Sequence, residues 1–240
     1  KNYFDYKSFR ISLKVTHRED PLSLKIWIPE LNQEKDLIIF MPGLGGDIDN
    51  FKWLASGLSK QGWPVILIEH KGSDSMALNS SINKDEALPG SADIYLYRIK
   101  DLDAVINSYK QNQLGFKSSN SYILMGHSLG SLISLLYEGE SPNNEFLSRC
   151  ENALDDFALT NLSKLLQCQL LEIPIPEFEK SKELKAIVGF NSFGSLIWSN
   201  KRNSGIDVPI LFVGGTFDLI TPLVNEQFKL FLANESNELN

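Results

Sequence analysis

Apolar and polar positions alternate strictly near the start of the chain, in Phe9-Arg10-Ile11-Ser12-Leu13-Lys14-Val15 and again in Leu22-Ser23-Leu24-Lys25-Ile26-Trp27-Ile28. A period of two gives each stretch one buried and one solvated face, so both are predicted as strands. Asp20-Pro21 separates them, which reads as an antiparallel pair at a sheet edge. The pattern then changes. Asp36–Met41, Pro64–Ile68, Tyr122–Met125, Ala186–Phe190 and Val208–Gly215 read as continuous apolar runs, the signature of parallel strands covered on both faces.

Between these runs the apolar spacing becomes helical. Phe51, Leu54, Ala55 and Leu58 share one helical face, with Asn50 as the predicted N-cap and Gly62 beyond the end. Leu96, Ile99, Leu102, Ile106 and Tyr109 predict a second helix, capped by Ser91 and closed by Gly115. Leu129, Leu132, Ile133 and Leu136 predict a third. A last helix is expected to start at Thr221-Pro222 and continue through Val224, Phe228, Phe231 and Leu232. The segment from His70 to Pro89 is polar, rich in Ser, Asn and Gly, and reads as a long loop at the functional edge.

Strand–helix alternation of this kind implies an α/β fold with a mostly parallel, doubly wound sheet and antiparallel edge strands at the N-terminus. It breaks between about 138 and 185, where Pro142-Asn143-Asn144 and Ile173-Pro174-Ile175-Pro176 interrupt helical spacing. That stretch reads as a helical cap inserted into a core formed by 1–137 and 186–240.

Composition narrows the function. A net charge of −7 leaves no broad basic surface for a phosphate backbone, so nucleic acid is not an expected partner. No apolar run is long enough to span a bilayer. Cys150 and Cys168 are the only cysteines. They are too few for a disulfide framework and have no nearby ligands for a zinc cluster, so no metal or cofactor is expected. Two buried thiols in a reducing compartment is the preferred reading, with a single disulfide in an oxidising one as the alternative. The first reading favours the cytoplasm. Because the chain begins at Lys1, removal of an export signal stays open.

Candidate chemistry centres on Gly126-His127-Ser128-Leu129-Gly130, between a predicted strand and a predicted helix. In G-x-S-x-G the serine occupies a sharp, strained turn, and the flanking glycines remove side chains that would collide with the adjoining strand and helix. Ser128 is therefore the candidate nucleophile. The Leu129 N–H at the helix start is one candidate oxyanion donor. The Leu44 N–H, in Pro42-Gly43-Leu44-Gly45-Gly46, is the other. Asp218 follows a predicted strand on the same rim and is the candidate acid that orients a base.

Gly43–Gly46, Glu69–Ser75, Gly126–Gly130 and Gly214–Pro222 together resemble an α/β-hydrolase. More narrowly, they resemble the serine-containing relatives of dienelactone hydrolase and platelet-activating-factor acetylhydrolase. The resemblance covers about 36 to 232 without the cap. It implies a serine esterase or lipase-like activity on a small or lipid-like ester, through an acyl-enzyme on Ser128. Pro42 stands where many relatives have histidine, and serine stands where dienelactone hydrolases proper have cysteine.

The family order also calls for a histidine after the acid, and none follows Asp218. His127 lies inside the turn, His17 in a predicted edge strand exposed to solvent, and His70 at a strand end. The expectation is that a last strand and helix, with the catalytic histidine, lie beyond residue 240, and that the 240-residue chain has little activity. The alternatives are a non-catalytic binding protein of this fold and an acyltransferase using the same serine. Oligomeric state is left open.

Overall fold

The computed structural model describes residues 4–31, 34–83, 92–139, 141–142, 145–155, 161–176, 178–198 and 205–234. Seven strands form one sheet, in the order β1-β2-β4-β3-β5-β6-β7. They are β1 (Tyr6–Leu13), β2 (Leu22–Pro29), β3 (Leu37–Met41), β4 (Val65–Glu69), β5 (Tyr122–His127), β6 (Leu184–Phe190) and β7 (Ile210–Val213). β1 pairs antiparallel with β2, and β2 antiparallel with β4. The pairs from β4 to β7 are all parallel.

Every residue of β3 is buried, and its side chains alternate between two cores. Leu37, Ile39 and Met41 join the larger one with Ile99, Leu102, Leu132 and Ile133. Ile38 and Phe40 join the smaller one with Ala55 and Ile48. A continuous apolar run is what a strand sandwiched between helical layers requires. The helices are α1 (Lys52–Lys60), α2 (Ser75–Asn83), α3 (Asp93–Lys110), α4 (Leu129–Glu138), α5 (Glu145–Asp155), α6 (Ser163–Cys168) and α7 (Gln227–Asn234). No helix among the described residues is long and apolar enough to cross a membrane.

Several expectations need correction. The loop after β4 contains α2 (Ser75–Asn83), whose first turn is held by Asp47, which accepts hydrogen bonds from Ser75 N (3.2 Å) and Oγ (2.5 Å). Asn50 is not an α-helix cap. It sits in a 3₁₀ turn, Ile48–Phe51, and its side chain accepts from Asp47 N at 3.2 Å. Ser91 lies outside the described residues. The last helix starts at Gln227 instead of Pro222, because the Thr221 side chain is used by Asp218. His17 lies after β1 and is not exposed: its Nε2 is 2.7 Å from Asp101 Oδ1.

β7 also departs from the buried-strand expectation. Leu211 and Val213 are 57% and 41% exposed. Finally, Cys150 and Cys168 form a disulfide, which replaces the two-thiol reading. Packing of α5 on α6 brings their Cα atoms to 5.6 Å, within bridging range.

Candidate functional site

The turn at Ser128 has φ 50° and ψ −117°, a region that side chains other than glycine rarely enter. The crowding around it explains the two glycines. A Cβ on Gly126 would lie 2.3 Å from Gly130 C, and one on Gly130 would lie 2.0 Å from Met41 O. β5 and α4 can meet at this angle, tight against β3, only without those side chains. Ser128 is half-buried, and its N–H donates to Phe190 O at 2.8 Å, which ties the turn to the end of β6.

The loop after β3 closes on the serine from the other side. A Cβ on Gly43 would come 3.1 Å from Ser128 Cβ and 3.0 Å from His127 Nδ1. This near-contact puts the Gly43–Leu44 peptide beside the Ser128 turn. Leu129 is the first residue of α4, so its N–H has no intrahelical acceptor. Helix polarity adds partial positive charge at that end.

Asp218 follows β7 in the turn that leads to α7. Its Oδ1 accepts from Ile220 N (2.8 Å) and Thr221 N (2.9 Å). Its Oδ2 accepts from Thr221 Oγ1 (2.7 Å) and from Asn191 Nδ2. Partial burial pushes the Asp218 pKa up, but the hydrogen bonds from Thr221, Asn191 and Ile220 outweigh it and hold the carboxyl below its usual value. Asn191 follows Phe190 directly, so the end of β6 touches the Ser128 turn through one residue and the Asp218 loop through the next. Asn191 was not anticipated from sequence.

The histidines are arranged differently. His127 is half-buried against Phe51, with ring centroids 5.6 Å apart. Burial lowers its pKa, and the Asp218 charge partly opposes that. His70 is buried, with Nδ1 2.8 Å from Asp101 Oδ2. Burial and the nearby Arg98 guanidinium drive its pKa down to about 4, against the hydrogen bond and charge of Asp101. It is neutral at pH 7, so Nδ1–H donates to the carboxylate. Its Nε2 has no partner among the described residues. Asp101 also accepts from Arg18, Nε to Oδ1 and Nη2 to Oδ2, both at 2.7 Å. None of the three histidines hydrogen-bonds to Ser128 or Asp218 among the described contacts.

Two buried groups that the sequence reading missed organise the surroundings. Arg98, on α3, reaches the carbonyls of the loop after β3. Glu226 accepts from Asn161 Nδ2 (2.7 Å), Gly194 N (3.1 Å) and Ser195 N (3.1 Å), and from Gln167 Nε2 (3.3 Å to each oxygen). It thereby fastens the segment around α6 to the core. Both sit within stretches whose apolar spacing drew attention away from their charge.

Residues 36–150 match the family model described as alpha/beta hydrolase fold. The matched region includes Ser128, Leu44 and Leu129, and Asp218 lies outside it. A comparison with curated proteins returns no match. The match supports a hydrolase-type function in general. With its order of mostly parallel strands, antiparallel edge and covering helices, the chain has an α/β fold consistent with that of the α/β-hydrolases whose family model it matches over residues 36–150.

Proposed function

We propose that the protein is a serine hydrolase acting on a carboxylic ester through an acyl-enzyme on Ser128. The observation that carries this reading is the strained backbone of Ser128, held between two glycine contacts and facing the glycine loop after β3. Strain of this kind persists only where the surrounding structure enforces it, and here it presents a hydroxyl beside two candidate N–H donors.

In the proposed reaction a neutral imidazole takes the Ser128 hydroxyl proton as Oγ attacks the ester carbonyl carbon. The carbonyl oxygen becomes an oxyanion, held by Leu44 N–H and Leu129 N–H. Collapse expels the alcohol, which receives the proton from the imidazolium. Water then repeats the sequence on the acyl-enzyme and releases the carboxylic acid. Asp218 is the acid that orients the imidazole. Its hydrogen bonds keep it ionised for that task. His17 and His70 are bound to Asp101, and none of the three histidines hydrogen-bonds to Ser128 or Asp218 among the described contacts, so the proposal does not assign this imidazole to any of them.

The test follows from these contacts. The 240-residue chain is expected to cleave short-chain aryl esters slowly, to speed up with added imidazole, and to lose that response as Ser128→Ala. Absence of any Ser128-dependent turnover with imidazole present would favour the second reading, a non-catalytic binding protein of this fold. The observation favouring that second reading is that no histidine hydrogen-bonds to Ser128 among the described contacts.

A further inference from the structure

We propose that Arg98 is a positioning residue for the oxyanion site, fixing the Gly43–Leu44 peptide through a hydrogen bond from its guanidinium to the Gly43 carbonyl. This rests on the reading of Ser128 as nucleophile and of Leu44 N–H as oxyanion donor.

Arg98 is 1% exposed, in the inward face of α3 between Tyr95 and Leu102. A buried guanidinium is costly unless its donors are matched, and an apolar residue would pack at that position without such a cost. Its donors are matched, but largely by backbone carbonyls. Nη1 donates to Pro42 O at 2.5 Å, and Nη2 to Gly43 O at 3.0 Å and Ser73 O at 3.2 Å. Nε donates to Ser73 Oγ at 2.8 Å. Asp101, one turn along the helix, is engaged by His17, His70 and Arg18. The forked head therefore joins two loops, one after β3 and the other after β4. Gly45 N, which donates to Ser73 O at 2.8 Å, makes the same connection.

The consequence lies in peptide geometry. In a planar trans peptide the carbonyl and the N–H point in opposite directions. Gly43 C=O and Leu44 N–H belong to one such unit. Gly43 O accepts from Arg98 on one side and from Gly46 N (3.1 Å) on the other, which occupies both lone pairs and fixes the plane. Fixing the plane fixes the direction of the Leu44 N–H. A cation on the carbonyl also polarises the peptide and makes its N–H a stronger donor. Burial lowers the Arg98 pKa to about 9, with Asp101 opposing, so the cation persists at neutral pH. Lysine carries the charge but not the planar fork that reaches four acceptors at once.

The experiment measures the rate at which a fluorophosphonate modifies Ser128 in imidazole buffer, with the KM for an aryl ester and the amide exchange rates of Leu44 and Leu129 by NMR. Arg98→Met is expected to slow Ser128 modification about 10- to 100-fold, the scale of a weakened oxyanion donor, with KM changed less than about 3-fold. Leu44 should exchange faster while Leu129 does not, which separates loss of positioning from general loosening. Arg98→Lys should fall between the two, and it decides the matter by the same readouts if Arg98→Met does not fold. A folded variant with wild-type modification rate and wild-type Leu44 exchange overturns the proposal. An unreactive Ser128 in the wild-type chain overturns the underlying nucleophile reading instead, and with it any catalytic purpose for Arg98.

Discussion

The two ends of the candidate site are built in opposite ways. Around Ser128, between β3, β4, β5 and α3, backbone meets backbone. Gly130 abuts Met41, Gly43 abuts the serine, and Arg98 and Ser73 join the flanking loops through buried hydrogen bonds. Around Asp218 the carboxylate is held just as firmly by its own turn and by Asn191, but among the described residues the sheet beside it ends at strand β7. Leu211, Phe228 and Phe231 there are 57%, 51% and 46% exposed and line an apolar groove of about 500 Å³. The contrast teaches that the proposed nucleophile and oxyanion donors are fixed by local crowding, while the proposed acid sits at a less enclosed edge.

The comparison breaks most sharply at the glycines. Gly130→Ala sets a Cβ against the Met41 backbone, which no side-chain rotation can relieve. It is expected to destabilise the protein by more than about 4 kcal/mol, measured by denaturant unfolding.

Next in size is the pH dependence carried by His70 behind the closed half. Its folded pKa is about 4 against 6.5 for the free imidazole. Below pH 6.5 the unfolded chain takes up a proton that the folded chain refuses, so stability falls as pH drops from about 6.5 to 4 and this contribution then levels off. The full contribution is about 3 kcal/mol. His70→Gln should remove most of that slope. His127, whose pKa is also lowered, leaves a smaller one of the same sign. A slope unchanged in His70→Gln would place the titration elsewhere.

The smallest effect is expected at the open edge. Leu211→Ser exposes little that was not already exposed, so stability should stay within about 0.5 kcal/mol of wild type. A loss as large as that at Gly130 would mean that the edge is as enclosed as the serine turn.

Much of this architecture was legible in the chain. Continuous apolar runs located the inner strands, because a strand covered on both faces needs apolar residues at every position. Gly126 and Gly130 located the serine turn, because only that backbone needs both of them. What stayed hidden was long-range and polar. Arg98 and Asp101 lie in an apolar helical stripe and look like solvated neighbours until the loops that they bind are in place. His17 read as exposed because its partner is distant in sequence. Asn191 has no motif, and its role follows only from where β6 ends. The start of α7 was misplaced because Thr221-Pro222 has a helix-start signature while its hydroxyl belongs to Asp218.

The central claim is that Ser128 is a nucleophile set in an oxyanion site. Its most direct test is fluorophosphonate treatment in imidazole buffer, followed by intact mass measurement and peptide mapping. The account predicts one adduct per chain, mapped to Ser128, forming faster as imidazole is raised and absent from Ser128→Ala. No adduct, or an adduct that persists undiminished in Ser128→Ala, would contradict it.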